Sequence, residues 1–527
     1  MTDRPRSPSS RSKAKCLALI ALTAGLSLAA VGDGVAQFRP NPTGPGPTGP
    51  GPVGPIGPGP TGPVGPINPA VPRGPGLNDP IVRINPRLPP AEIDVPPTGI
   101  RPYGPVVIDN LEDYRRRLVT NGRITLTART KQPKQIAQRG GFDAPPAGEQ
   151  SYVRNEVLLT ISPSVQIPTL DAMARQHRLT RMESQEFALM GRKLFRWRIN
   201  DGRPVAIVIR TLMADARIIA AQPNYLYRLQ EDASAGAKAA QTDSAQYALA
   251  KLRLPQAHAM SKGESVIVAM IDTAVDAAHP ELAGVIAATF DAMGAAEKPQ
   301  PHGTAMAGAI AARGKLIGTA PAVKLLSIQA FGSIKSEGTS FNILKGLEWA
   351  AKKNANVVNM SFAGPADPAL QVALAAARTK GIVLIAAAGN AGPRSRPLYP
   401  AADPNVIAVT ATDSDDRLFA RANRGTHIAV AAPGVDILVA APEGGYQTTS
   451  GTSVAAAEVS GVVALMLERD RKLDPAEVRR LLTATARDLG PAGPDDQFGA
   501  GLTDAYGALT ALGAKPTADV SRPSGTH

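Results

Sequence analysis

The chain has 527 residues, more than one ordinary domain needs, and 43% hydrophobic residues, enough for a buried core and too many for wholesale disorder. Its net charge of +13 invites a nucleic-acid partner, but residues 245–512 hold 24 Lys+Arg and 24 Asp+Glu out of 57 and 44 in the chain, so the whole excess lies outside that large region. No basic stripe with interleaved aromatics accompanies it, and no nucleic-acid partner is expected. The single cysteine, Cys16, excludes a disulfide framework and a thiol nucleophile, and six histidines leave little material for a metal site, so neither metal nor cofactor is expected.

Residues 1–36 read as a secretory signal peptide. A polar start with Arg4, Arg6, Arg11, Lys13 and Lys15 precedes an apolar run from Cys16 to Val31, and Gly34-Val35-Ala36 offers a small-x-small cleavage site. The apolar run is short for a membrane span. An exported chain is therefore expected, secreted or periplasmic, with no stable membrane span after signal removal; anchoring through an uncleaved leader is the alternative. Residues 37–150 form a Pro/Gly-rich, largely disordered spacer. Its glycines at 44, 46, 49, 51, 54, 57, 59, 62 and 65 slip out of the strict three-residue register that a collagen helix requires, which favours solvated polyproline II.

Residues 151–230 read as a small α+β domain. A strand (156–161) precedes a helix (169–177), and a second helix (204–214) separates strands near 193–199 and 218–228, the order of a ferredoxin-like βαββαβ sandwich. Residues 231–245 (EDASAGAKAAQTDSA) make an aperiodic, protease-accessible linker. Residues 246–512 read as one doubly wound α/β domain with a mostly parallel sheet. Unbroken apolar strands at 266–271, 324–328, 357–360, 383–387 and 406–410 alternate with helices such as 341–353 and 370–379, as strands covered on both faces do. Residues 513–527 form a disordered tail.

Four polar residues punctuate this pattern. Asp272 closes an apolar strand, where an open parallel sheet collects functional side chains; alone it is more commonly a cap. His302 opens His302-Gly303-Thr304 ahead of the small-residue helix AMAGAIAA, a place where a lone His commonly caps a helix. Ser453 stands where Ser450-Gly451-Thr452-Ser453 enters the helix VAAAEVSGVVALMLERD, and a hydroxyl there is commonly an N-cap. Asn390 follows the strand IVLIAAAG and precedes Ala391-Gly392-Pro393, a setting that suits a turn residue. Taken together the four fit acyl transfer. A serine hydroxyl is a weak nucleophile that needs a histidine base, and the base needs a carboxylate to fix its tautomer. A side-chain amide and a helix N-terminus can stabilise the developing oxyanion.

Over residues 247–510 the chain resembles the subtilisin-like (subtilase) serine peptidases. The resemblance rests on Ile271-Asp272-Thr273, His302-Gly303-Thr304 with Gly308, Val358-Asn359-Met360-Ser361, Ala388-Gly389-Asn390 and Gly451-Thr452-Ser453, five motifs in the family's order. It implies that Asp272 orients, His302 is the base, Ser453 is the nucleophile, and Asn390 completes the oxyanion hole with the N–H of Ser453. It also implies that Ser361-Phe362-Ala363, with Gly389 beside it, binds protein or peptide substrates in extended conformation by β-augmentation. Residues 151–230 resemble the propeptide domain that precedes such peptidases, Ala221-Gln222-Pro223-Asn224-Tyr225 being similar to its end. The resemblance thus implies a monomeric secreted endopeptidase made as a zymogen, with its own N-terminal domain as intramolecular inhibitor.

The chain departs from the family pattern at Ala274, Ala305, Ala363 and Ala457, which bear on rate and specificity and remove no proton-transfer group. The loop 311–319 is short beside relatives that bind calcium there, Glu281 alone makes a poor calcium site, and His279 reads as structural. Three other readings compete. A catalytically inactive binding protein on the same scaffold is opposed by the intact Asp272, His302, Asn390 and Ser453. An esterase lacks its Gly-x-Ser-x-Gly elbow, and a metalloprotease lacks His-Glu-x-x-His.

Overall fold

A computed structural model of the chain describes residues 144–230 and 246–513, together with the backbone of three two-residue strands nearer the N-terminus. The expected signal peptide, the linker 231–245, and nearly all of the expected spacer and tail lie outside the described residues. The chain divides into the units Met1–Ala128 and Arg129–His527. In the first, Arg123–Ile124 pairs antiparallel with both Ile93–Asp94 and Val119–Thr120. In the second, the described chain starts at residue 144, inside the stretch read as spacer. There Glu149 is buried, accepts from the backbone N–H groups of Gln150 and Ser151, and pairs with Arg396.

The α+β part runs β1 (Tyr152–Ile161), α1 (Ile167–Gln176), β2 (Leu179–Phe187), β3 (Arg192–Ile199), α2 (Val205–Leu212) and β4 (Ile218–Leu229). Its antiparallel order is β4-β1-β3-β2. Strand periodicity sends alternate side chains to opposite faces. Val157, Leu159 and Ile161 bury against the helices with Leu170, Met173, Val208 and Leu212, and Leu158 points the other way, into a cluster that includes Phe341 and Phe362. The N-terminal sheet therefore shares a core with the C-terminal region. Strand β2 has no apolar run, because between Leu179 and Phe187 none of its residues is fully buried.

The larger part begins with the short helices α3 (Tyr247–Lys251) and α4 (Leu254–His258), then β5 (Ile267–Asp272), β6 (Ile286–Asp291), α5 (Pro301–Ala311), β7 (Lys324–Gln329) and β8 (Glu337–Thr339). It continues with α6 (Ser340–Lys352), β9 (Val357–Met360), β10 (Phe362–Ala363), α7 (Pro368–Thr379), β11 (Val383–Ala387), β12 (Ile407–Thr412) and β13 (Ile428–Pro433). Last come the hairpin β14 (Ile437–Ala441) and β15 (Gly445–Thr449), then α8 (Thr452–Arg469), α9 (Pro475–Thr485) and α10 (Ala505–Gly513). Seven strands form one parallel sheet in the order β13-β12-β11-β9-β5-β7-β6. The chain runs from β5 outward to β6 and β7, then crosses to β9 on the other side, so the switch in strand order falls at the carboxyl ends of β5 and β9. That is where an open α/β sheet leaves a crevice. Helix α8 is buried continuously from Thr452 to Leu467, which explains a sequence apolar on all sides rather than striped. Among the described residues no helix is long and apolar enough to cross a membrane.

Beyond its own sheet, β4 passes between two strands of the larger part. Leu226, Tyr227 and Arg228 pair antiparallel with Thr339, Gly338 and Glu337 of β8, and Arg228 and Leu229 pair with Ala363 and Phe362 of β10.

Candidate active site

Asp272 is the last residue of β5 and fully buried. Its Oδ1 accepts from Thr273 N at 2.7 Å, Thr273 Oγ1 at 3.2 Å and His302 Nδ1 at 2.7 Å. A carboxylate oxygen can only accept, so the histidine proton sits on Nδ1 and the lone pair of the neutral ring on Nε2. His302 is the second residue of α5, whose N-cap is Gln300, and no side chain caps that helix. The capping alternative for His302 therefore fails. So does that for Ser453, the second residue of α8 behind the N-cap Gly451.

Ser453 Oγ lies 2.6 Å from the carbonyl oxygen of Gln230 and 3.1 Å from that of Ser361, and its one proton is shared between them. Asn390 Nδ2 donates to the same Gln230 oxygen at 2.9 Å. The orientation of this amide is set from behind: its Oδ1 accepts from Thr452 N at 3.1 Å and Thr452 Oγ1 at 2.8 Å. The left-handed turn that sequence reading offered to Asn390 belongs to its neighbour Gly389, at φ 112°. Gly451 is required by space as well as by its φ of 154°: a Cβ there would stand 2.6 Å from Gln230 O and 2.8 Å from Asn390 Nδ2.

Ser361, Phe362 and Ala363 run along the β4 extension, with Gln230 N donating to Ser361 O at 3.2 Å. Four residues of that extension fill the groove. Tyr227 is buried, stacks edge-on against Phe362 with ring centroids 5.7 Å apart, and donates to Pro365 O at 3.2 Å. Gly364 makes room for it, since a Cβ would come within 2.5 Å of the Tyr227 ring. Gly389 N donates to Thr452 Oγ1 at 3.1 Å. Asp272 with His302, and Ser453 with Asn390, thus stand at the ends of β5 and β11 and the starts of α5 and α8. The roles of Thr452 and Thr273 as supports, and the arrival of Gln230 in the groove, were not foreseen. The first two lie inside the motifs, next to Ser453 and Asp272; the third depends on a long-range approach that no local signal carries.

His279 lies apart from these groups: its Nδ1 accepts from Glu281 N at 3.1 Å and its Nε2 donates to Gly445 O at 3.0 Å. Glu281 accepts from Gly314 N, Lys315 N, Leu316 N and the Tyr446 hydroxyl. Burial pushes this carboxyl up, but the Tyr446 and backbone hydrogen bonds outweigh burial and hold it below its ordinary value. Four donors converging on one carboxylate leave no place for a cation, and among the described residues no group of three His, Cys, Asp or Glu is placed to hold a metal. Glu281→Ala should cost about 3 kcal/mol by orphaning those donors, an effect largest above pH 4.5 and smaller once acid protonates the native carboxyl; melting curves from pH 3 to 8 check it.

A parallel sheet with a buried Asp–His pair, and with a serine at the start of a buried helix beside an oriented amide, has the fold of the subtilisin-like hydrolases. Residues 263–501 match the model of the subtilase family. Subtilisin E of Bacillus subtilis (strain 168) is 36% identical over 257 residues, 47% of this chain and 67% of that protein. Thermitase of Thermoactinomyces vulgaris is 34% identical over 274 residues, 50% of this chain and 96% of that protein. The crystal structure of fervidolysin from Fervidobacterium pennivorans, a keratinolytic enzyme related to subtilisin, aligns with a TM-score of 0.60 at 24% identity, covering 70% of this chain and 63% of that one, and shows the likeness of fold. The chain belongs to the subtilase family and is a serine-type endopeptidase.

Proposed function

We propose that the chain is an exported endopeptidase made as a zymogen, in which Ser453 is the nucleophile, His302 the general base, Asp272 its orienting carboxylate and Asn390 the oxyanion donor. The observation that carries this reading is the carbonyl oxygen of Gln230. It lies on Ser453 Oγ and Asn390 Nδ2 at the end of a strand paired on both sides. That is the posture of a substrate carbonyl, and it makes Gln230–Glu231 the bond first cut.

In the reaction Ser453 Oγ attacks the carbonyl carbon and its proton passes to His302 Nε2. Asp272 stabilises the resulting imidazolium and keeps Nδ1 as the donor. Negative charge gathers on the carbonyl oxygen, met by Asn390 Nδ2 and the N–H of Ser453 at the start of α8, where the helix dipole is favourable. His302 returns the proton to the leaving amine, the acyl-enzyme forms, and water repeats the sequence to release Ser453. Ser361–Ala363 holds the substrate backbone extended, with Phe362 and Gly364 beside the residue four positions from the cut.

Residues 151–230 act as the intramolecular inhibitor. Glu348 of α6 accepts from Ala188 N at 3.1 Å and Leu189 N at 2.9 Å. Gln222 Oε1 accepts from Ala369 N at 3.0 Å, and Asn224 Oδ1 from Phe341 N at 3.2 Å, so side chains of the N-terminal domain satisfy free donors at the starts of α7 and α6. The leader 1–36 directs export and is then removed, and the mature enzyme acts as a monomer on extended polypeptides. The test is expression of residues 37–527 with and without Ser453→Ala, followed by chain size, casein hydrolysis and labelling by a serine-directed fluorophosphonate. Failure of the wild type on all three counts would overturn the reading.

A further inference from the structure

Ser361 touches Ser453 twice. Its carbonyl accepts from Ser453 Oγ at 3.1 Å, and its hydroxyl donates to the Ser453 carbonyl at 3.0 Å. A serine hydroxyl rotates freely and carries one proton, so something must aim it. That group is Asn359, the third residue of β9, whose Nδ2 donates to Ser361 Oγ at 2.9 Å. With the amide donor fixed on one of its two lone pairs, the Ser361 hydroxyl directs its proton at the Ser453 carbonyl. The other end of the amide is held as well: Asn359 Oδ1 accepts from Ser460 Oγ at 3.0 Å, a proton that Ser460 shares with Ala456 O at 2.9 Å. Asn359, Ser361 and Ser460 are all fully buried.

Ser453 and Ser460 stand two turns apart on α8, on the same side of the helix. One asparagine thus straps α8 to β9 at two points and, through Ser361, to the strand that carries the substrate backbone. Rotation or sliding of α8 would move Ser453 Oγ away from the carbonyl it attacks, and a buried amide linked at both ends opposes both motions.

We propose that Asn359 is a positioning residue for the nucleophile, acting through the Ser361 hydroxyl and anchored by Ser460; the proposal rests on the reading of Ser453 as nucleophile. Its loss should lower kcat on a peptide p-nitroanilide by roughly ten- to a hundred-fold, the scale of a misplacement of about 1 Å, with KM within about twofold of wild type. The rate of fluorophosphonate labelling should fall by the same factor.

The experiment compares Asn359→Asp, Asn359→Ala, Ser361→Ala and the double variant Asn359→Ala/Ser361→Ala in the processed enzyme. Asn359→Asp keeps the shape and the Ser460 bond, but its carboxylate draws the Ser361 proton away from Ser453. It should therefore lose kcat, and its melting midpoint should fall as well because an unpaired carboxylate is buried there; Ser361→Ala, which removes a single hydroxyl, is the deciding variant should the Asn359 variants fail to fold. The double variant should be no slower than the slower single, because the residues act in series. An Asn359→Asp enzyme with wild-type kcat, or a double variant whose losses multiply, would overturn the proposal. Failure of the nucleophile reading is distinguishable, since the wild-type enzyme would then not label at Ser453 at all.

Discussion

Ser453→Ala should abolish both self-processing and casein hydrolysis, a loss of about 10⁶-fold on the scale set by removing the nucleophile of subtilisin itself. The size of the effect follows from the division of labour. On the proposed roles no acyl-enzyme can form without Oγ, and His302 and Asp272 have no proton to move. What survives is the polarising pocket of Asn390 and the first turn of α8, which acts on water alone. The same reasoning predicts that adding His302→Ala to Ser453→Ala costs almost nothing further, because groups that act as a unit are not additive. Accumulated full-length chain, quantified by mass spectrometry against time, checks the claim; processing of the Ser453→Ala chain at the wild-type rate would exclude Ser453.

The second large effect concerns stability and pH. Glu458 lies five residues beyond Ser453 on α8, is buried, and has the Thr319 hydroxyl as its hydrogen-bond partner. It lines a small cavity of about 10 Å³ with Tyr247, Leu316 and Leu438. Burial, only partly offset by the Thr319 hydrogen bond, pushes the Glu458 carboxyl up from 4.5 to about 7. The folded state therefore holds a proton that the unfolded chain gives up. Stability from this group is fully present below pH 4.5 and is lost as pH rises through about 7, amounting to about 3 kcal/mol. Glu458→Gln preserves the shape and removes the titration. In a Ser453→Ala background, which prevents self-digestion, it should raise the midpoint at pH 8 by roughly 5 °C and leave it little changed at pH 4. Equal shifts at both pH values would contradict the assignment.

The central sheet was legible because its inner strands are buried on both faces, so 357–360 and 383–387 read as predominantly apolar runs, the first interrupted only by Asn359, and are observed with the same bounds. The edge strand β6 escaped notice since half-exposed residues dilute its pattern, and β13 because its alanines carry little strand preference. In the smaller part the two amphipathic helices stood out, whereas β2 lies too exposed to signal itself.

The site divides along the same line. Asp272, His302, Asn390 and Ser453 could be proposed because the chemistry demands those residue types next to strand ends and helix starts. Their supports could not. Thr452 orients Asn390 across 62 positions, Ser460 reaches Asn359 across 101, and Gln230 meets Ser453 across 223. Such pairings are set by tertiary packing and leave no local period. Glu458 is illegible for a related reason, since its unusual charge state is a property of its burial and not of its neighbours in the chain.

The most direct test is the site of the first cut. Gln230 reaches the proposed oxyanion position only if the groove between Glu337–Thr339 and Phe362–Ala363 receives the β4 extension in the observed register. The earliest product of processing of residues 37–527 should carry Glu231 as its N-terminus, and the Ser453→Ala chain should yield none of it. A first cut elsewhere in the wild-type chain, or the same product from the Ser453→Ala chain, would contradict the account.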